Sequence, residues 1–257
     1  MSKDSILVIA LWLILSTVAI FLWLMTVDSE SMIFYTHYSS LMQIITSAGA
    51  AFLCYRTMMI FNVNDKARTA WGFLSMGLFF WSAGAILEGV YTLLHQGATA
   101  PFPWYANVCF LLLVPFVIMA LIAFKKNLNA SIPLKGWIAT ITVFLGALVL
   151  GLGINAKGFQ EIESINLIIT LIYIIFDSVL LAMAVAAASI LIGSLLSRPW
   201  WFALVGLFIF YLGDMIYTLV RNIDQAGGII LDLTWPVAFG FIAIAATTAR
   251  AIYTANR

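Results

Sequence analysis

The sequence predicts an all-α fold, a polytopic integral membrane protein with eight transmembrane helices, and three observations support this prediction. Of the 257 residues, 64% are apolar and 9% are charged, whereas about 25% of the residues of a soluble domain are charged. The apolar residues form eight runs separated by short polar patches. Each run has the length of about 20 residues that a helix needs to cross a bilayer core of about 30 Å. Helices are expected throughout, because an open sheet in hydrocarbon leaves backbone groups without partners.

The eight predicted spans form a single bundle over residues 1–257. In chain order they are Ile6 to Val27, Tyr38 to Phe61, Ala70 to Leu94, Trp104 to Phe124, Lys135 to Ile154, Ile165 to Gly193, Trp200 to Arg221 and Ile229 to Ala249.

Individual spans carry further signals. The first is interpreted as an uncleaved helix, because its apolar run is too long for a secretory signal and has no convincing small-x-small cleavage site. The fourth and eighth contain Pro115 and Pro236, which are expected to kink them. The sixth is long enough to tilt or to extend into the cytoplasm. Tryptophans near span ends, among them Trp12 and Trp200, are expected to anchor the helices at the interface.

Cations lie mainly on one side of this topology. Of the 12 lysines and arginines, only Lys157 and Arg221 fall in the loops or span ends of the other side. The positive-inside rule therefore predicts that both termini are cytoplasmic. We expect a multi-pass protein of the bacterial inner membrane.

Two segments of the sequence resemble each other. The segment "EGVYTLLH" (Glu88 to His95) matches "DMIYTLVR" (Asp214 to Arg221) at an offset of 126 residues. In both, an acid, a tyrosine and a basic residue lie at positions i, i+3 and i+7 and so share one helix face. Further matches are Trp71, Gly77 and Gly84 with Trp200, Gly206 and Gly213 at an offset of 129, and Asn107 and Phe110 with Asp232 and Trp235 at an offset of 125.

These matches predict an internal repeat. Spans three and four recur as spans seven and eight, and residues 1–130 as a whole are expected to recur as 131–257. Both copies enter the membrane from the same side, so the repeat is parallel, as in several transporters that hold their site between the halves. Chance similarity between two apolar helices is the alternative interpretation.

Acidic residues inside the predicted spans indicate a candidate site. An acid such as Asp214 near the bilayer centre costs roughly 2.5–3.5 kcal/mol on insertion scales. The expected functional explanation is a ligand cavity or an ion path. The structural one is hydrogen bonding between helices, worth about 0.6 kcal/mol per contact. The candidate ligand-binding residues are Glu88, Tyr91, Asn107, Asp177, Asp214, Tyr217, Asp232 and Trp235.

Four segments carry a resemblance to a known family. They are "PFPWYANVCFLLLVPFVIMALI" (Pro101 to Ile122), "YIIFDSVLLAMAVA" (Tyr173 to Ala186), "WWFALVGLFIFYLGDMIYTLV" (Trp200 to Val220) and "LDLTWPVAFGFIAIAA" (Leu231 to Ala246). They resemble the multi-helix sensory membrane region that precedes bacterial diguanylate cyclase, phosphodiesterase and histidine kinase domains. Asp177, Asp214, Asp232 and Trp235 match acidic and aromatic positions of that pattern, whereas Asn107 replaces its usual aspartate.

The resemblance implies a sensory or ligand-binding membrane module. The sequence carries no output domain, so this module is expected to act through a partner protein. We therefore expect a non-enzymatic, sensor-like module that binds a hydrophobic or amphipathic ligand such as a lipid, a quinone or a pigment. Its expected partners are membrane lipid and either other membrane proteins or a second copy of the chain, and no nucleic acid.

Other functions were weighed against this expectation. The small residues of "LLAMAVAAASILIGSLL" (Leu180 to Leu196) would let another helix approach, which favours an accessory subunit of a larger membrane complex. Buried acids and a parallel repeat also suit a proton-coupled transporter. Haem is disfavoured, because His37 and His95 are the only histidines and interfacial histidines are commonly just solvated. No Ser-His-Asp arrangement, metal cluster or phosphate-binding glycine loop is recognisable, so catalysis is not expected.

Overall fold

The protein is described here from a computed structural model, in which residues 3–27, 31–156, 164–191, 198–221 and 228–255 are placed. Over these residues the chain forms eight α-helices and no β-strand, which confirms the predicted all-α class. The helices are α1 (Lys3–Thr26), α2 (Met32–Met58), α3 (Lys66–Leu94), α4 (Tyr105–Leu128), α5 (Leu134–Asn155), α6 (Ser164–Ile190), α7 (Arg198–Arg221) and α8 (Gly228–Ala255).

The largest boundary differences are six residues each: α2 begins at Met32 rather than at the predicted Tyr38, and α8 ends at Ala255 rather than at the predicted Ala249. A polar residue in the first turn of α2 is compatible with a helix, because the Thr36 hydroxyl donates to the Met32 carbonyl at 3.1 Å. The predicted end of the sixth span, Gly193, lies outside the described residues, as does Lys157, which entered the prediction of orientation.

The apolar character of the helices supports a membrane-embedded protein. Within the described residues, six helices are long and apolar enough to cross a membrane: α1, α3, α4, α5, α6 and the part of α8 from Asp232 onward. Helix α2 is more polar than these, and several of its serine and threonine hydroxyls donate to carbonyls of the preceding turn. A total of eight spans stays a prediction.

Six of the helices form a closed ring. Around the ring, α2 packs against α3, α3 against α4, α4 against α6, α6 against α7, α7 against α8, and α8 against α2. The other two lie outside it, with α1 against α2 and α8, and α5 against α6 and α7. This arrangement leaves the interior of the ring to side chains of its six members.

Large aromatic side chains lie in that interior. Trp71 and Trp81 of α3 are 1% and 4% exposed. The ring centroid of Trp71 lies 5.1 Å from that of Trp200 on α7, and that of Trp81 lies 4.5 Å from that of Phe239 on α8. Because each indole spans the gap between non-adjacent helices, these contacts join the two sides of the ring.

Two tryptophans that were expected to anchor helices at the interface are buried instead. The Trp200 ring is 6% exposed and stacks on Phe124 with centroids 3.8 Å apart. Trp12 is 8% exposed and donates its indole N–H to the Pro236 carbonyl. A Cβ atom at Gly240 would lie 2.7 Å from the Trp12 ring, so the absence of a side chain there makes room for the indole.

Glycines allow two pairs of helices, α3 with α4 and α7 with α8, to approach each other closely. A Cβ atom at Gly77 of α3 would lie 3.1 Å from both the Leu113 carbonyl oxygen and the Phe116 Cβ of α4. At Gly206 of α7 it would lie 2.7 Å from the Ala238 carbonyl oxygen of α8 and 3.2 Å from the Phe241 Cβ. Side chains at these positions would therefore push the paired helices apart.

Candidate functional site

Most of the predicted site residues lie toward one end of the bundle. This is the end at which α2, α4, α6 and α8 begin and α3 and α7 finish. Glu88 lies near the end of α3, Asn107 lies in the first turn of α4, and Asp232 lies in the second turn of α8. The lysines Lys66, Lys125 and Lys126 lie at the opposite end. The structure thus separates the interior acids from these cations.

Tyr173 of α6 lies at the centre of a polar group that we call the Tyr173 cluster, which comprises Glu88, Asn107, Tyr173, Asp177 and Asp214. The Asn107 amide nitrogen donates to the Tyr173 hydroxyl oxygen at 3.2 Å. Asp214, Asp177 and Glu88 all lie close enough to this hydroxyl to interact with it electrostatically. Four helices, α3, α4, α6 and α7, therefore contribute polar groups to one place.

Asn107 is positioned by the start of its own helix. Its side-chain oxygen accepts a hydrogen bond from the Trp104 backbone N–H at 2.7 Å, which satisfies a group at the N-terminus of α4. With the oxygen engaged in this way, the amide nitrogen points toward α6 and Tyr173. The asparagine thus caps a helix and holds the tyrosine with the same side chain.

Asp177 and Asp214 form a carboxyl pair between α6 and α7. Asp177 is 3% exposed, and its carboxyl group lies within hydrogen-bonding reach of that of Asp214. An ionised carboxylate only accepts hydrogen bonds, so a hydrogen bond between the two groups would need a proton on one of them. Asp214 also accepts from the Trp235 indole N–H at 2.9 Å.

A second polar group surrounds Asp232 and is called the Asp232 cluster, comprising Tyr35, Ser39, Gln43 and Asp232. The Tyr35 hydroxyl donates to one carboxylate oxygen at 2.6 Å, and the Gln43 amide donates to the other at 3.3 Å. The Ser39 side chain is hydrogen-bonded to the same carboxylate. Glu88 interacts electrostatically with Asp232 as well as with Tyr173, so it lies between the two clusters.

Sequence reasoning did not assign the α2 partners of Asp232 to the site. Tyr35 lies before the predicted start of the second span, and Ser39 and Gln43 are uncharged. The spacing of Tyr35, Ser39 and Gln43 could have indicated a shared polar face, because residues at i, i+4 and i+8 line one face of a helix. That face meets α8 in the ring.

Two predicted site residues, Tyr91 and Tyr217, lie at the margin of the Tyr173 cluster. The Tyr91 ring stacks on His95 with centroids 3.9 Å apart and lies 5.1 Å from Trp104. Tyr217 is 43% exposed, and its ring centroid lies 5.9 Å from that of Trp235. Tyr91 therefore packs with the segment that joins α3 to α4, and Tyr217 flanks the indole that contacts Asp214.

Aromatic rings lie beside the carboxyl pair. The Trp235 ring centroid lies 6.2 Å from that of Trp81, which in turn contacts Phe239 and Phe210. The polar groups of the Tyr173 cluster therefore border an apolar, aromatic interior.

The described residues contain no group of three or more His, Cys, Asp and Glu side chains placed to hold a metal ion. Comparison with protein-family models, with curated proteins and with solved structures finds no match for this chain.

Proposed function

We propose that this protein is a non-enzymatic, membrane-embedded binding module of the sensory type, with the Tyr173 cluster as its site. The observation that carries the proposal is that Glu88, Asp177 and Asp214, from three helices, lie within electrostatic range of the Tyr173 hydroxyl. Ionisable residues inside a membrane bundle are costly, and their usual justification is a ligand or an ion path.

The carboxyl pair favours a binding role over simple packing. Helices are joined adequately by neutral hydrogen bonds, such as that between Asn107 and Tyr173. Two carboxyl groups in contact need a proton between them, because neither group can donate a hydrogen bond when it is ionised. A ligand that donates a hydrogen bond between Asp177 and Asp214 would meet that requirement in place of the proton.

The surroundings of the pair support an amphipathic ligand. The Trp235 and Trp81 rings present apolar faces, and the Asp214 carboxyl group is the polar group in contact with Trp235. Ligand sites typically combine such apolar walls with a few placed polar groups. A lipid, a quinone or a pigment with a hydrogen-bonding head group fits this chemistry.

The proposal includes a topology of eight spans, with both termini in the cytoplasm of a bacterium, and a parallel repeat of four helices. Support for the repeat comes from the glycine contacts. Gly77 meets Leu113 and Phe116, and Gly206 meets Ala238 and Phe241. The glycines are related by the offset of 129 residues, and their partners by the offset of 125, as in the sequence matches.

In this proposal the module acts through another protein of the membrane. The alternative of an accessory subunit rested on the alanine-rich part of α6. Ala182, Ala184, Ala186 and Ala187 of that segment are 3–6% exposed, so this chain already covers them. The small residues therefore serve packing within the chain, and the accessory role is left with less specific support.

Extraction of the purified protein with organic solvent, followed by mass spectrometry, tests the binding role. We expect a small molecule at a fixed ratio to the protein, and we expect Asp214→Asn and Glu88→Gln to reduce that ratio. Asp4→Asn is the matched control, because Asp4 is exposed and pairs with Arg250 away from the cluster. Equal ligand content in all four proteins, or none in any, would contradict the proposal.

Purification in mild detergent from the native membrane tests the partner. Recovery with a second membrane protein at variable ratio supports a sensor that signals transiently. Recovery in a fixed ratio with several membrane proteins supports the accessory subunit instead.

One observation favours a second candidate, a proton-coupled transporter. A hydrogen bond between Asp177 and Asp214 would need a proton that a carrier could exchange. Reconstituted into vesicles with an internal pH dye, a carrier would dissipate a proton gradient on addition of its substrate. Loss of that flux in Asp177→Asn, with the fold intact, would favour transport over sensing.

A further inference from the structure

A groove lies at the other end of the bundle, far from the carboxyl clusters. It has a volume of about 500 Å³ and lies between the end of α4, the start of α5 and the end of α6. Much of its wall is apolar, formed by Leu121, Ile122, Met183, Ala187 and Ile190. Trp137 on α5 also lines it and is 48% exposed.

Two cations and two small polar groups also line this groove. Lys125 and Lys126 lie in the last turns of α4, and Asn129 and Ser131 follow them in the connection to α5. Within the described residues, the ion pair of the chain joins Asp4 to Arg250, and neither lysine has an acidic partner. The groove therefore combines uncompensated positive charge at one end with an apolar wall.

We propose that this groove binds the head group and an acyl chain of an anionic phospholipid. The phosphate would lie between the Lys125 and Lys126 ammonium groups. The acyl chain would extend along Ile122 and Met183, away from the lysines and toward the middle of the bundle. Basic pockets between transmembrane helices bind anionic lipid head groups in this manner.

The shape and position of the groove favour a lipid over a soluble anion. Ile122 is 41% exposed and lies directly beside the lysines on the outer surface of α4. The Trp137 indole is amphipathic, and such rings favour the level of the head groups. An inorganic anion would use the lysines and leave the apolar wall uncovered. This inference is independent of the proposed function, because it concerns other residues at the opposite end.

Native mass spectrometry of the full chain in detergent tests the inference. The protein is titrated with phosphatidylglycerol and, separately, with phosphatidylcholine of the same acyl chains. We expect preferential retention of phosphatidylglycerol, and we expect Lys125→Gln with Lys126→Gln to weaken it about tenfold. Lys3→Gln with Lys66→Gln is the matched control, since it removes the same charge from exposed residues of α1 and α3 and is expected to leave binding unchanged.

The apolar wall has its own test. Ile122→Ala is expected to weaken phosphatidylglycerol binding about threefold, because buried methylene contacts are lost. Ile138→Ala is the control, since Ile138 is 58% exposed and does not line the groove. Glycerol phosphate is expected not to compete.

Three results would overturn the inference. They are equal retention of the two lipids, equal weakening by the two double substitutions, and displacement of the lipid by glycerol phosphate. The last would identify a site for soluble anions. Thermal unfolding of each variant shows whether a loss of binding reflects a loss of the fold.

Discussion

Asp232 and Asp214 are partly buried acids on α8 and α7, and their surroundings differ. The Asp232 carboxylate accepts hydrogen bonds from Tyr35, Ser39 and Gln43, all on α2. Asp214 has the Trp235 indole as a donor and faces a second carboxyl group, Asp177. The same residue type is thus surrounded by donors in one cluster and paired with another acceptor in the other.

Under the proposed function, the comparison distinguishes an acid that joins two helices from an acid that binds the ligand. A carboxylate surrounded by donors joins α8 to α2 and has little unused capacity for a ligand. Two carboxyl groups in contact depend on a proton or another donor between them, because an ionised carboxylate donates no hydrogen bond. For this reason we assign the binding role to the Tyr173 cluster and a packing role to the Asp232 cluster.

The largest expected effect is the loss of the Asp232 carboxylate. Asp232→Ala leaves Tyr35 and Gln43 without their acceptor inside the bundle, so we expect the free energy of unfolding to fall by about 2–4 kcal/mol. Thermal or denaturant unfolding in detergent measures this loss. Asp4→Ala, which breaks an exposed ion pair, is expected to cost about 0–1 kcal/mol. Equal losses in the two variants would show that the Asp232 cluster does not stabilise the fold.

The proposed equivalence of the two halves is tested at the glycines. Gly206→Ala would place a Cβ atom 2.7 Å from a backbone oxygen, and we expect a loss of about 1–3 kcal/mol in the free energy of unfolding. Gly77→Ala is expected to act in the same direction with a smaller loss, since its contact distance is 3.1 Å. Gly146 has no heavy atom within 4 Å of that position, so Gly146→Ala is expected to stabilise the helix by about 0.5–1 kcal/mol. Losses at only one of the two paired glycines would argue against equivalent halves.

The same substitution at the two clusters sharpens the comparison further. In Asp177→Asn the new amide donates to Asp214 without a shared proton, so we expect the free energy of unfolding to change by less than about 1 kcal/mol. Asp232→Asn replaces an acceptor of several hydrogen bonds by a group that also donates, and we expect a loss of about 1–2 kcal/mol. Unfolding experiments compare the two, and ligand content is expected to fall only in Asp177→Asn. A larger loss in the free energy of unfolding for Asp177→Asn than for Asp232→Asn would instead assign the packing role to the Tyr173 cluster and the binding role to the Asp232 cluster.

The smallest expected difference concerns the tyrosines. Tyr173→Phe removes two hydrogen bonds to the neutral Asn107, one to its side chain and one to its carbonyl, and is expected to cost about 1.2 kcal/mol at about 0.6 kcal/mol per contact. Tyr35→Phe removes a bond to a carboxylate and is expected to cost about 1.5 kcal/mol. Tyr105→Phe is the control, because that side chain is 76% exposed. If Tyr173→Phe lowers the free energy of unfolding more than Tyr35→Phe does, the Tyr173 cluster contributes more to stability than the Asp232 cluster.

The sequence by itself determined the helices and the positions of the acids along them. Hydropathy and helical spacing are local properties, so runs of apolar residues located the helices to within a few residues at most boundaries. The same reasoning placed Glu88, Asp177 and Asp214 inside the bundle, because a charged residue in an apolar run is visible without any partner. The internal matches between Gly77 and Gly206 were visible in the same way.

Only the tertiary structure decided which groups meet. Tyr35 contacts Asp232 across 197 residues of sequence because α2 and α8 are neighbours in the ring. That adjacency depends on how six helices close around the interior, which hydropathy does not encode. It is also the reason that Trp12 and Trp200, which resemble interfacial residues in sequence, are buried. Burial and partnership are properties of the packed helices rather than of the residues themselves.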